Sequence, residues 1–189
     1  MDNNKISKEH VILVDEKDNE LGTEEKQKAH IEGKLHRAFS VFMFNSKGEL
    51  LIQRRALDKY HSAGLWTNTC CSHPKHGEAT IDAAHRRLKE ELRVDCELKE
   101  IHSFIYKKAF ENGLTEHEFD HVFVGKVNST NPNFIINPNP NEVEEWKFIS
   151  LYELKKDLQR YPDRYTYWFK LLIEKINFSD YITSSHNSL

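Results

Sequence analysis

Glu116, His117 and Glu118 fall together in a run, Leu114–Val127, that reads as a β-strand. Side chains alternate across a strand, so Glu116 and Glu118 share one face and His117 takes the other. Two carboxylates on one face repel each other unless a proton or a cation lies between them. A solvated polar face is the simplest relief. Three further histidines, His30, His36 and His73, lie where the chain enters or leaves strands. With Glu116 and Glu118 they make a donor set of three imidazoles and two carboxylates. That mixture suits a first-row divalent metal and leaves at most one open position in an octahedron. Zn2+, Mn2+ and Mg2+ are all compatible, with imidazole favouring the softer two. His10, His76, His102 and His186 read instead as surface or hydrogen-bonded residues.

Cys71 stands two residues before His73, inside the polar segment Trp66–Pro74. A buried cysteine is usually a small hydrophobe. A thiol beside a metal-bound carboxylate can also serve as an acid or a base.

These residues need elements to hold them. His10–Val14 reads as a strand closed by the polar turn Asp15–Glu20, and a charged segment follows to Lys34. Arg37–Phe44 and Glu49–Arg54 read as an antiparallel pair joined at Asn45–Gly48. Leu65–Thr69 reads as a short strand. Ile81, Ala84, Leu88 and Leu92 recur at helical steps, giving an amphipathic helix over Glu78–Leu92. Val94–Phe110 holds one or two strands, and Glu144–Ile149 another. Ser150 with Glu153 forms a capping box for the helix that follows. A last helix is expected from near Pro162, and the final residues look frayed. The expectation is one α/β domain spanning 1–189. It has a strand extension over 1–25, a core of about 26–175 and a frayed tail at 180–189.

Composition sets limits. The chain has 189 residues, 27 Lys+Arg against 30 Asp+Glu, and a formal net charge of −3, which gives no support for a nucleic-acid or membrane-surface binder. Ala38–Phe44 is far too short to span a bilayer, and the first ten residues are too polar for a secretory signal. Three cysteines, two adjacent, make a poor disulfide framework, so a cytoplasmic location is expected. No two glycines lie closer than 11 residues, so no nucleotide-binding glycine loop can occur.

The helix can be written Ser72-x5-Glu78-x7-Arg86-Arg87-Leu88-x-Glu90-Glu91-x-Arg93-Val94. It resembles the Nudix box, with Ser72 and Arg93 in place of glycines and Arg87 in place of an acidic residue. The segments LHRAFSVFMFNSKGELLIQRRALDKY, WTNTCCSHP, HRRLKEEL and TEHEFDHVF together resemble type I isopentenyl-diphosphate delta-isomerases. That resemblance runs from about Lys26 to Lys175 and implies a Nudix-type fold, a mixed or antiparallel sheet flanked by helices. It implies interconversion of isopentenyl and dimethylallyl diphosphate through a tertiary carbocation.

Residue by residue, the resemblance makes Cys71 and Glu118 the proton-handling pair. Tyr106 hydrogen-bonds Glu118, and Trp168 faces the cation. Lys26, Arg55, Lys59 and Ser72 match positions that contact the diphosphate, with Arg86 added to them. The resemblance further implies a metal among His30, His36, His73, Glu116 and Glu118, and a Mg2+ that would bridge the diphosphate to Glu91 and the Cys71 carbonyl. The small diphosphate is the expected partner, and a monomer is expected. A Nudix hydrolase and a metal-stabilised binding domain are the competing readings. Arg87 opposes the first, and the convergence of thiol, base and basic cluster opposes the second.

Overall fold

The structure is a computed structural model that describes residues 9–59 and 61–182. In chain order the elements are β1 (His10–Val14), β2 (Glu20–Glu25), α1 (Lys26–Glu32), β3 (His36–Asn45), β4 (Leu50–Arg55), β5 (Trp66–Thr67) and β6 (Cys70–Ser72). They continue with α2 (Thr80–Leu92), β7 (Leu98–Ala109), β8 (Thr115–Val127), β9 (Val143–Ile149), α3 (Leu151–Arg160), α4 (Tyr167–Lys175) and α5 (Ser179–Ile182).

One mixed sheet organises the molecule. β3 is its hub, running parallel to β8 from His36↔Glu118 to Asn45↔Val127 and antiparallel to β1, β4 and β6. β7 extends the sheet beyond β8, and β9 pairs with β4. Alternation along β3 sends its side chains to two opposite cores. Phe39, Val41 and Met43 meet Ala83, Ala84, Leu88 and Leu92 of α2. Phe42 and Phe44 meet Leu154 of α3 and Phe169, Leu172 and Ile173 of α4. The sheet therefore lies between α2 on one side and α3–α4 on the other. Among the described residues no helix is long and apolar enough to cross a membrane.

Several expectations need correcting. The charged stretch before Lys34 is structured: it forms β2, an edge partner of β1, and the short helix α1. His30 thus lies in a helix and not at a strand end. The strand expected over Leu65–Thr69 is confined to Trp66–Thr67; beyond it Asn68 turns its side-chain amide onto the carbonyls of Val41 and Cys70, and a separate strand, Cys70–Ser72, follows. Ile81 is 38% exposed, and Ala83 takes its place on the buried face of α2. The helix expected from near Pro162 starts at Tyr167; Pro162–Arg164 is a separate 3-10 turn. Of the tail expected to fray, 180–182 belong to the helix Ser179–Ile182, and 183–189 lie outside the described residues. α3 begins where the sequence placed it, with Glu153 donating its backbone N–H to Ser150 Oγ at 3.2 Å.

Candidate functional site: a histidine–carboxylate cluster at the end of β8

The start of β8 is buried on one face. Glu116 is 3%, Glu118 8% and Asp120 1% exposed, so the solvated alternative for these acids does not hold. His117 points the other way, and its Nδ1 meets the Gly33 carbonyl at 2.9 Å, tying β8 to the end of α1. Parallel pairing with β3 sets His36 beside Glu118. α1 brings in His30, and the chain leaving β6 brings in His73.

The tautomers follow from the backbone. His30 Nδ1 lies 2.6 Å from the Lys26 carbonyl, and His36 Nδ1 lies 2.8 Å from the Lys34 carbonyl. A carbonyl only accepts, so each Nδ1 must carry the proton. In the neutral ring each Nε2 then presents a lone pair to the cluster. His36 Nε2 is buried without a hydrogen bond, 3.7 Å from Glu118 Oε1. His30 Nε2 is 3.3 Å from Glu116 Oε2, and His73 Nε2 is 3.1 Å from Glu118 Oε1. Ligand atoms of His30, His36, His73 and Glu118 lie within 4.8 Å of one another. Lone pairs aimed at carboxylates are repulsive unless a cation stands between them, and this donor set suits a divalent metal. The cluster thus fits divalent metal binding.

Its electrostatics agree. Burial and the neighbouring Glu118 push the Glu116 carboxyl up to about 7. Burial acts on Glu118 in the same direction, but the adjoining His36 and His73 rings outweigh it and hold that carboxyl well below the usual range. Burial works to lower His30, yet Glu116 wins and raises it. Burial carries His73 down to about 3. Asp120 is pushed well above the carboxylate range by burial and by Glu118, while Ser40 donates to it at 2.9 Å.

A cavity of about 220 Å3 opens beside the cluster. Cys71, Tyr106, Glu116, Glu118 and Trp168 line it, as do Lys26, Arg55, Lys59, Ser72 and Glu91. The register Ser40↔Cys71 and Val41↔Cys70 separates the adjacent cysteines. Cys70 packs against α2, and Cys71 packs on the α4 side. Burial raises the Cys71 thiol to about 12, so it keeps its proton at neutral pH. Tyr106 donates its hydroxyl to Glu118 Oε2 at 2.7 Å. Trp168 donates Nε1–H to Thr67 Oγ1 at 3.0 Å, which fixes its ring, and the Arg55 guanidinium sits 5.5 Å from that ring.

Basic side chains line the same cavity. Lys26 pairs with Glu9 at 2.9 Å, and Lys59 is in contact with Glu142. Arg55 Nε and Arg87 Nε are buried without hydrogen-bond partners. Glu91 Oε2 accepts from Gln53 at 2.8 Å and Oε1 from Arg87 at 2.7 Å.

One expected residue is not brought to the site. Arg86 turns away from the cavity, held by Glu78 at 2.7 and 2.8 Å and by Glu90. Arg87 lines the cavity in its place. The signal was available, because Arg87 is four residues before Glu91 and so shares its helix face. His61 was also missed. It lies 3.2 Å from Glu116 Oε1 and forms a second group with His30 and Glu116. Burial, Arg55 and His30 lower its ring to about 3. A loop residue without periodicity gave no sequence signal.

The family model described as NUDIX domain matches residues 34–169. The chain is 49% identical to isopentenyl-diphosphate Delta-isomerase 2 of Aromatoleum aromaticum, over 89% of this chain and 86% of that protein. It is 49% identical to the protein of the same name from Photorhabdus laumondii, over 91% and 94%. With isopentenyl-diphosphate Delta-isomerase of Serratia proteamaculans it shares 43% over 91% and 93%. Among solved structures, DR0079 from Deinococcus radiodurans superposes with a TM-score of 0.71 at 20% identity, covering 88% of this chain and 98% of that one. At that identity the likeness concerns the fold alone.

Proposed function

The chain belongs to the NUDIX domain family and, within it, to the isopentenyl-diphosphate Delta-isomerases; from this premise we propose how its cavity interconverts isopentenyl and dimethylallyl diphosphate. The reaction moves a double bond. One proton is added to the terminal CH2 of the alkene, giving a tertiary carbocation, and another leaves the carbon next to the C–O carbon. The proton count is unchanged overall.

Cys71 and Glu118 exchange these two protons. The supporting observation is that a protonated thiol and a carboxylate held by Tyr106 line the same small cavity. Trp168 faces the cationic carbon, where a desolvated cation–π contact contributes ~2 kcal/mol or more. Aromatic walls also exclude the water that would trap the cation. Lys26, Arg55, Lys59, Arg87 and Ser72, which line the cavity, bind the diphosphate. Arginine offers forked donors and lysine a compact charge. The buried, partnerless Nε atoms of Arg55 and Arg87 are suited to anionic oxygens.

His30, His36, His73, Glu116 and Glu118 would hold one divalent ion (Zn2+, Mn2+ or Mg2+), and Glu91 with the Cys71 carbonyl a Mg2+. When bound, these ions supply positive charge, the first to the buried carboxylates and the second to the diphosphate. Ser40 and Asp120 brace β3 against β8 behind the cluster. We place the reaction in the cytoplasm, in keeping with three free cysteines, and assign it to a monomer.

The test is incubation of purified protein with isopentenyl diphosphate and Mg2+. Allylic product without phosphate release is the expected outcome. Phosphate release would indicate hydrolysis, and no conversion would indicate a binding domain.

A further inference from the structure

His61 lies on the loop between β4 and β5, outside the five residues assigned to the metal. The loop is shaped to aim it inward. Ser62 adopts φ 50° and Gly64 φ 70°, two left-handed positions in quick succession. A side chain rarely takes that conformation without something gained by it, and such outliers collect at functional sites. Arg55 donates Nη2–H to the His61 carbonyl at 3.3 Å, and Gly64 N–H returns to the Arg55 carbonyl at 3.1 Å. The loop is thereby fastened to Arg55, which lines the cavity.

The ring has two faces to serve. Its Nε2 stands 3.2 Å from Glu116 Oε1, while the other oxygen of that carboxylate stands 3.3 Å from His30. Its Nδ1 is 3.4 Å from Ser62 Oγ, on the side away from Glu116. The ring plane lies edge-on to Trp168 with centroids 5.9 Å apart, and stacks on Phe110 at 6.3 Å. The imidazole is therefore continuous with the aromatic wall of the cavity and touches the carboxylate at its polar end.

We propose that His61 is a positioning residue that fixes Glu116 through Oε1, so that Oε2 is presented to the metal cluster, and that its ring walls the space for the hydrocarbon tail. A carboxylate ligand left to rotate binds metal less tightly, and loss of such a supporting hydrogen bond typically costs about 10–100-fold in affinity. The second half of the proposal rests on the isomerase reading; the first half does not.

Two variants separate the roles. His61→Phe keeps an aromatic ring and removes the N–H; His61→Gln keeps an N–H donor and removes the ring. Zn2+ alone is titrated calorimetrically into each metal-free protein, after thermal unfolding has been compared. Zn2+ should bind His61→Phe about 10-fold or more weakly, and His61→Gln close to the unaltered chain. In turnover, His61→Phe should lose kcat with KM for isopentenyl diphosphate held, and His61→Gln should raise KM. Unaltered Zn2+ affinity in His61→Phe overturns the positioning role. Equal loss in both variants overturns it too, since a merely structural residue would not be rescued by a donor. If neither variant alters KM, the wall role is overturned. Zn2+ binding is read without substrate, so an inactive protein would count against the isomerase reading and leave the metal result standing.

Discussion

At the scale of single residues, the site is decided by which atom of each side chain is already committed. His30 and His36 give Nδ1–H to backbone carbonyls and so cannot avoid offering Nε2 to the cluster. Glu118 is held on one oxygen by Tyr106 and approached on the other by His73 and His36. Glu116→Gln replaces a carboxylate proposed as a metal ligand by a neutral amide. Its divalent-metal affinity should fall about 10-fold or more in a calorimetric titration; unchanged stoichiometry and affinity would place the ion elsewhere. Cys71→Ala removes the thiol proposed to carry a proton, without touching a core contact of α2. Turnover should be lost while the circular dichroism spectrum and metal content stay as they were, and near-normal activity would refute the role.

At the scale of elements, two small features position large consequences. α1 is one of the shortest helices in the molecule, yet it carries His30. It ends on Gly33 at φ 62°, where a Cβ would meet Thr115 Cγ2 at 3.3 Å. Gly33→Ala should destabilise the chain by ~1 kcal/mol or more and weaken metal binding, because α1 must shift relative to β8. A denaturant titration and a metal titration check the two halves. Ser150→Ala removes the cap of α3, far from the cavity, and should cost ~1 kcal/mol of stability with turnover unchanged.

These elements also show what the sequence could disclose. β3, β4, β8 and α2 were legible because each has a clear periodicity or a turn signal and carries a buried face. α1 was not, since its buried residues are Ala29 and His30, too few to make an apolar stripe. β2 reads ELGTEE and is an edge strand with little buried surface. The acids of β8 were legible as a shared face, but their burial was not, because it depends on β3 and α1 packing over them. Arg86 and Arg87 are adjacent letters, and the helix turn, not the letters, decides which one reaches the cavity.

At the scale of the whole molecule, the sheet divides the cavity's duties. β8 supplies acids, β3 and the α1 and β6 ends supply imidazoles, β4 and α2 supply cations, and α4 closes the space with Trp168. A ligand that ties four of these parts together should stabilise all of them. Adding Zn2+ at ~100 times its dissociation constant should raise stability by ~2.7 kcal/mol, read as a higher Tm, and a chelator should reverse it. The core also has an alkaline signature away from the cavity. Burial raises the Cys96 thiol from 9.0 to about 12. A group raised on folding contributes stability that is intact below its unfolded value. That contribution is lost as pH climbs from 9 toward about 12. Cys96→Ala should therefore flatten the fall of Tm over that range; an identical slope would show that the thiol does not titrate with unfolding.

The central claim is that this cavity exchanges protons on an intact diphosphate. The most direct measurement is proton NMR of isopentenyl diphosphate incubated with the metal-loaded protein in D2O. Dimethylallyl diphosphate should form carrying solvent deuterium in a methyl group, with no phosphate or diphosphate released. Cleavage of the diphosphate, or recovery of the starting alkene unlabelled, would contradict it.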